Sequence, residues 1–292
     1  MTSSEYLPPR PELPDGMAPP GGRDPAPPPR EPKGIPLWAP FAVMGVVFIV
    51  VGTFYAAIVG VAASIDSSIS TSNPPQSLEL AVTIVQDAFL LLAAVLTFKV
   101  AYGQVRASDL GFRRIADWRT AIMTAVAVYA IYWLVAGLLS AIFGPQPEQQ
   151  IVSDLKHQDS LAILLGFAVL TCVVAPICEE VFFRGFVFMT FARRIGPRWG
   201  ALVAGAIFGL IHAPNPVLGL IALGVLGVCL CALYWRTQSI IPCMALHALN
   251  NSISFGYTKS LDAGLYAALI IGSVGLVVGI ATAVSARPAV TA

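Results

Sequence analysis

Three short stretches of this 292-residue chain place ionisable or amide side chains inside runs that are otherwise apolar. The first is CEEVFFRG, with Glu179, Glu180 and Arg184; the second is FGLIHAP, with Phe208 just upstream of His212; the third is LHALNN, with His247 and Asn251. A charge held at bilayer depth costs about 2.5 to 3.5 kcal/mol on insertion scales, so residues kept there mark function by default. Two of the three histidines in the chain fall in these stretches. Carboxylates and imidazoles move protons near neutral pH, and an amide donates hydrogen bonds to developing negative charge. General-base chemistry with stabilisation of a developing oxyanion is therefore within reach of this set.

Spacing gives the residues mutual geometry, because positions four apart share a helix face. Glu180 pairs with Arg184 on that rule, His247 lies above Asn251, and Phe208 above His212. Pairing Arg184 with Glu180 leaves Glu179, about 100° further round the helix, as the carboxyl without a cation. Depth agrees with a common locus. Glu179 precedes Arg194 by 15 residues and His212 follows Arg198 by 14, which at about 1.5 Å per residue puts both roughly 21 to 22 Å from the basic loops. His247 follows Arg236 by 11 residues, roughly 16 Å along a helix.

The elements that must position these groups are membrane helices. The chain is 57% hydrophobic and only 11% charged, against roughly 25% charged in soluble globular chains. The fold class is all-α, a polytopic helical bundle. Apolar runs predict eight spans at 35–64, 78–102, 120–143, 161–192, 199–213, 216–235, 240–257 and 263–285, the fourth kinked at Pro176. Residues 1–34 are rich in proline and glycine and cannot bury a core, so they read as a disordered tail ahead of a transmembrane domain at 35–285.

Basic residues test that count, since they collect on the cytoplasmic side of span ends. With the tail inside, 14 of the 17 lysines and arginines fall in inside segments, Lys156 and Lys259 fall outside, and Arg184 lies within a span. Both termini are expected in the cytoplasm, and the composition suggests a bacterial plasma membrane. The net charge of +1 gives no reason to expect nucleic acid as a partner. The five cysteines lie in apolar runs and read as packing residues rather than disulfides, and Cys229-x-Cys231 has no second pair with which to bind metal.

Glu179-Glu180-x-x-x-Arg184, then Phe208-x-x-x-His212, then His247-x-x-x-Asn251, resembles the three-part signature of the CAAX-protease and bacteriocin-processing family, which includes prenyl-protein proteases. The resemblance covers about 160–257, and the loop SDLGFRR at 108–114 is similar to a segment that often precedes the core in bacterial members. It implies an intramembrane endopeptidase in which Glu179 and His212 activate a water. His247 and Asn251 would stabilise the oxyanion, and Glu180 with Arg184 and Phe208 would support the site. Its substrate would be a peptide or membrane protein, lipidated in the case that gives the family its name, met among membrane lipids. No cofactor is required on that reading.

Other readings use the same residues. Glu179, His212 and His247 have the types of a His₂Glu zinc site with a metal-bound water. A membrane scaffold or bacteriocin-immunity protein could keep the fold without proteolysis. A transporter is disfavoured because no paired inverted repeat is evident. Asp87, mid-span beside Gln86, is expected to pair with a polar group of the bundle, with proton relay as the alternative. Cys178 borders a carboxylate, a poor setting for a thiolate nucleophile.

Overall fold

The computed structural model describes residues 34–70, 74–144, 150–213 and 215–286. Apart from Gly34, the expected tail lies outside the described residues, as does Arg287. Every long regular element among the described residues is a helix: α1 (Ala39–Ile65), α2 (Gln76–Tyr102), α3 (Trp118–Phe143), the short α4 (Gln150–Lys156), α5 (Leu161–Ile195), α6 (Pro197–Leu210), α7 (Val217–Thr237), α8 (Ile241–Thr258) and α9 (Ala263–Ser285). The eight expected spans are all present as helices, and the protein is a polytopic helical bundle.

Six of them, α1, α2, α3, α5, α7 and α9, are long and apolar enough to cross a membrane. The two that fall short bring histidines to the site. α6 has 14 residues, or about 21 Å of helix against a hydrocarbon core of about 30 Å. α8 has 18 residues and spends several on His247, Asn250, Asn251 and Ser252.

Helix ends follow local chemistry. The carboxylate of Asp117 accepts from the Arg119 amide at 2.9 Å and caps α3. Asp262 accepts from the amides of Gly264 and Leu265 and caps α9. Both satisfy donors that a helix start leaves orphaned.

α5 is the central helix. Residues 181–188 are buried throughout, from Val181 to Phe188. It is not a regular α-helix, since Leu170–Val174 and Val181–Phe188 form widened π-helical turns either side of the six residues Ala175–Glu180. The first widening immediately precedes Pro176, whose ring nitrogen has no hydrogen to give the ladder. The perturbation expected at Pro176 thus takes the form of a π turn, a feature frequent at functional sites.

α6 and α7 meet through small residues. A Cβ on Gly205 would lie 2.7 Å from the Gly224 carbonyl oxygen, and one on Gly227 would lie 2.9 Å from the Gly205 Cα. The backbones touch because neither helix carries a side chain there, the packing mode that membrane helices favour. The loop at 108–114 docks on the turn between α7 and α8. Ile240 donates its amide to the Gly111 carbonyl at 2.9 Å, and the Ser239 hydroxyl donates to the Arg113 carbonyl at 2.6 Å.

The basic loops lie together at one end of the bundle, where Arg193 reaches the Tyr102 hydroxyl at 3.3 Å and Arg113 reaches the Gln238 carbonyl at 3.3 Å. Lys259 marks the other end, donating to the carbonyls of Leu155, Lys156 and Gln158 at 3.2 Å each.

Candidate active site

α5, α8 and the end of α6 converge on one buried locus. Glu180 is fully buried, and its Oε1 accepts from Nη1 of Arg184 and from Nδ1 of His247, each at 2.8 Å. The i, i+4 ion pair read from the sequence is therefore present. One carboxylate oxygen also ties the α5 motif to the α8 motif. Arg184 spends a further donor on the Gly227 carbonyl at 3.4 Å, anchoring α7 to the same point.

Phe208 is the hub of the site. Its ring centroid lies 5.1 Å from that of His212 and 5.8 Å from that of His247, with the Arg184 guanidinium 4.6 Å from the ring centre. A cation over a desolvated aromatic face is worth about 2 kcal/mol, so Phe208 holds Arg184 and spaces the two imidazoles at once.

His212 lies just outside α6, which ends at Leu210, whereas the apolar run suggested helix through 213. The reason is local: Ala213 precedes a proline, and the residue before proline is pushed out of the helical region. Nδ1 of His212 nevertheless reaches the Phe208 carbonyl at 2.7 Å. A carbonyl only accepts, so Nδ1 carries the hydrogen and Nε2 of the neutral ring is left as an acceptor.

Nδ1 of His247 is likewise the donor toward Glu180. Nε2 of His247 can then donate only when the ring is an imidazolium. Asn251 gives one Nδ2 hydrogen to the Thr171 carbonyl at 2.9 Å, which leaves its second amide hydrogen for a ligand. Asn251 and Thr171 line a cavity of about 190 Å³ whose walls include Phe167 and Phe255. Nothing in the sequence pointed to Thr171, because it contributes only its backbone oxygen.

Glu179, partly buried, has no share in the Glu180 network, and its Oε2 is enclosed without a hydrogen-bond partner. Asp87, on α2, is the acid whose charge meets it. Oδ2 of Asp87 is buried without a hydrogen-bond partner, so the polar partner expected for it is not found at that atom.

Among the described residues, no three His, Cys, Asp or Glu side chains are grouped to hold a metal ion. All five cysteines are buried and free, Cys178 and the Cys229–Cys231 pair among them.

Residues 161–253, about a third of the chain, match the family model described as type II CAAX prenyl endopeptidase Rce1-like. No curated protein and no solved structure matches the chain. The matched segment begins with α5 and ends within α8, so it contains Glu179, Glu180, Arg184, Phe208, His212, His247 and Asn251. With its three motifs gathered on membrane helices, the chain is an integral membrane protein whose segment 161–253 is similar to that family of endopeptidases.

Proposed function

We propose that the protein is an intramembrane endopeptidase that hydrolyses peptide bonds with a water activated by Glu179 and His212. The observation that carries this reading is the division of labour between adjacent carboxylates. Oε1 of Glu180 is committed to both Arg184 and His247, while Glu179 shares in neither bond; an Oε2 of each carboxyl is buried without a protein partner. A carboxylate free of a cation in a water-poor site suits a general base.

Glu179 takes a proton from water as the water oxygen bonds to the peptide carbonyl carbon. Nε2 of His212, fixed as an acceptor by the Phe208 carbonyl, orients the same water. The carbonyl oxygen becomes an oxyanion, met by the second amide hydrogen of Asn251 and by Nε2–H of His247 in its imidazolium form. Glu180 stabilises that cation at 2.8 Å. Collapse of the tetrahedral intermediate breaks the C–N bond, and the proton held by Glu179 passes to the leaving amine. One preorganised oxyanion donor is worth about 10²- to 10³-fold in rate, so Asn251→Ala is expected to lower kcat by about that factor.

The substrate class follows from where the site sits. Its enclosure by membrane helices supports membrane-embedded or lipidated polypeptides as substrates. The test is cleavage of a fluorogenic prenylated peptide and of a panel of transmembrane peptides by purified protein in detergent, with and without a strong chelator. Cleavage that survives chelation fits the glutamate mechanism. Loss of cleavage on chelation and its return with zinc would reassign Glu179, His212 and His247 as ligands. Absence of cleavage, with Glu179→Ala still complementing a deletion phenotype, would leave a non-proteolytic scaffold.

A further inference from the structure

Asp87 has no part in the hydrolysis described above, yet it lies in the membrane-spanning α2 at 1% exposure. Its Oδ2 is enclosed without a hydrogen-bond partner, and so is Oε2 of Glu179. The two carboxyls are neighbours: α2 packs against the segment of α5 that carries Glu179, Glu179 is the charge that acts on Asp87, and both act on Cys178. Arg184, the cation buried in α5, is committed to Glu180. α1 is the other helix packed closely on α2, and among the described residues no charge on it acts on Asp87.

Two ionised carboxylates side by side, with no cation and little water, repel strongly, and sites of this kind hold one proton between them. A carboxylic acid differs from a carboxylate in having one O–H to donate. The orphaned oxygen of Glu179, on the helix packed against α2, is an acceptor that such a hydrogen could serve, and a single shared proton would satisfy both unpartnered atoms.

We propose that Asp87 is a positioning residue for Glu179: it keeps its proton and donates it to one oxygen of Glu179, so that the pair carries a single negative charge and the other Glu179 oxygen is held toward the reacting water. The proposal rests on the endopeptidase reading for its consequence in catalysis, though not for the hydrogen bond itself. α2 lies outside the segment that matches the family, so the positioning group comes from a helix beyond the three motifs. During turnover the proton taken from water makes the pair doubly protonated, and its transfer to the leaving amine restores the starting state.

Infrared difference spectra of the full-length protein in detergent, without substrate, test the hydrogen bond directly. Wild type minus Asp87→Asn is expected to contain the C=O stretch of a carboxylic acid near neutral pH, and the band should shift in Glu179→Gln, where the acceptor is an amide. No such band would overturn the proposal whether or not the protein cleaves anything. Activity on the same peptides supplies the second arm. Asp87→Asn keeps an N–H donor, so kcat should fall by no more than about threefold and the acid limb of the pH profile should stay in place. Asp87→Leu removes the donor and should cost about 10- to 100-fold in kcat with KM little changed. An Asp87→Leu enzyme with unaltered kcat, or an acid limb displaced in Asp87→Asn, would contradict a protonated positioning acid. A wild type with no activity would sink the endopeptidase reading and leave the infrared result to decide on Asp87.

Discussion

α3 and α5 are both apolar enough to cross a bilayer, but only 6% of the apolar window of α3 is buried inside the protein against 39% of that of α5. α3 turns Ile122, Val126, Leu134 and Ile142 outward, and any apolar side chain would serve there. α5 encloses an ion pair, a ring of phenylalanines and two π turns, and few of its side chains could be exchanged. The contrast extends to α6, too short to cross, and α8, which carries several polar side chains; they bring His212, His247 and Asn251 to the site. Apolarity places a helix in the membrane, and departures from apolarity place it in the site.

The largest effect that would sharpen this contrast is removal of the buried counter-ion. Glu180→Leu leaves Arg184 enclosed without a carboxylate, which destabilises by about 3 to 5 kcal/mol. Thermal unfolding in detergent should show a large fall in midpoint, and the double variant Glu180→Leu with Arg184→Met should regain much of it without regaining activity. An unchanged midpoint in the single variant would mean that the pair is not structural.

Next comes close packing. Gly205→Ala pushes a methyl group to 2.7 Å from the Gly224 carbonyl and 2.8 Å from the Val228 amide, an overpacking cost of about 1 to 3 kcal/mol. Gly279→Ala, on the outer α9, meets nothing within 4 Å and should be neutral or gain up to about 1 kcal/mol from helix propensity. Equal midpoints for the two variants would erase the distinction between core and periphery.

Phe208→Leu removes the ring between the imidazoles and the face under Arg184. A misplacement of the imidazoles of about 1 Å can cost as much as 10²-fold in rate, so kcat should drop well before stability does, as paired activity and unfolding assays would reveal.

The smallest effect lies at the rim. Asp117 caps α3, and the Thr120 hydroxyl holds its carboxyl below the ordinary value. A folded-state value below the unfolded one adds stability above the unfolded value, about 3.9, which is lost as pH falls through the lower folded value. The midpoint difference between wild type and Asp117→Ala should therefore shrink on acidification. A difference that stays constant would assign it to the helix cap alone.

Much of this was legible in the sequence, and the parts that were not share a cause. The eight helices follow from apolar runs, and the Glu180–Arg184 pair follows from helical spacing. Cross-helix pairing does not follow from either. That His247 would bond Glu180 and that Asn251 would find the Thr171 carbonyl are set by packing, with Gly205 and Gly227 deciding how near α6 and α7 come. The π turns of α5 were hidden for another reason: they alter which carbonyl an amide reaches, and that leaves no mark on composition. His212 fell outside its expected helix because the proline after Ala213 outweighed the apolar run.

The most direct test of the central claim is the single-turnover cleavage rate of Glu179→Ala beside wild type, both shown to be folded by equal thermal midpoints, on whichever peptide of the panel the wild type cuts. The account predicts that cleavage by Glu179→Ala falls by at least about 10³-fold, with substrate binding retained. Cleavage within about tenfold of wild type would contradict a mechanism in which Glu179 activates the water.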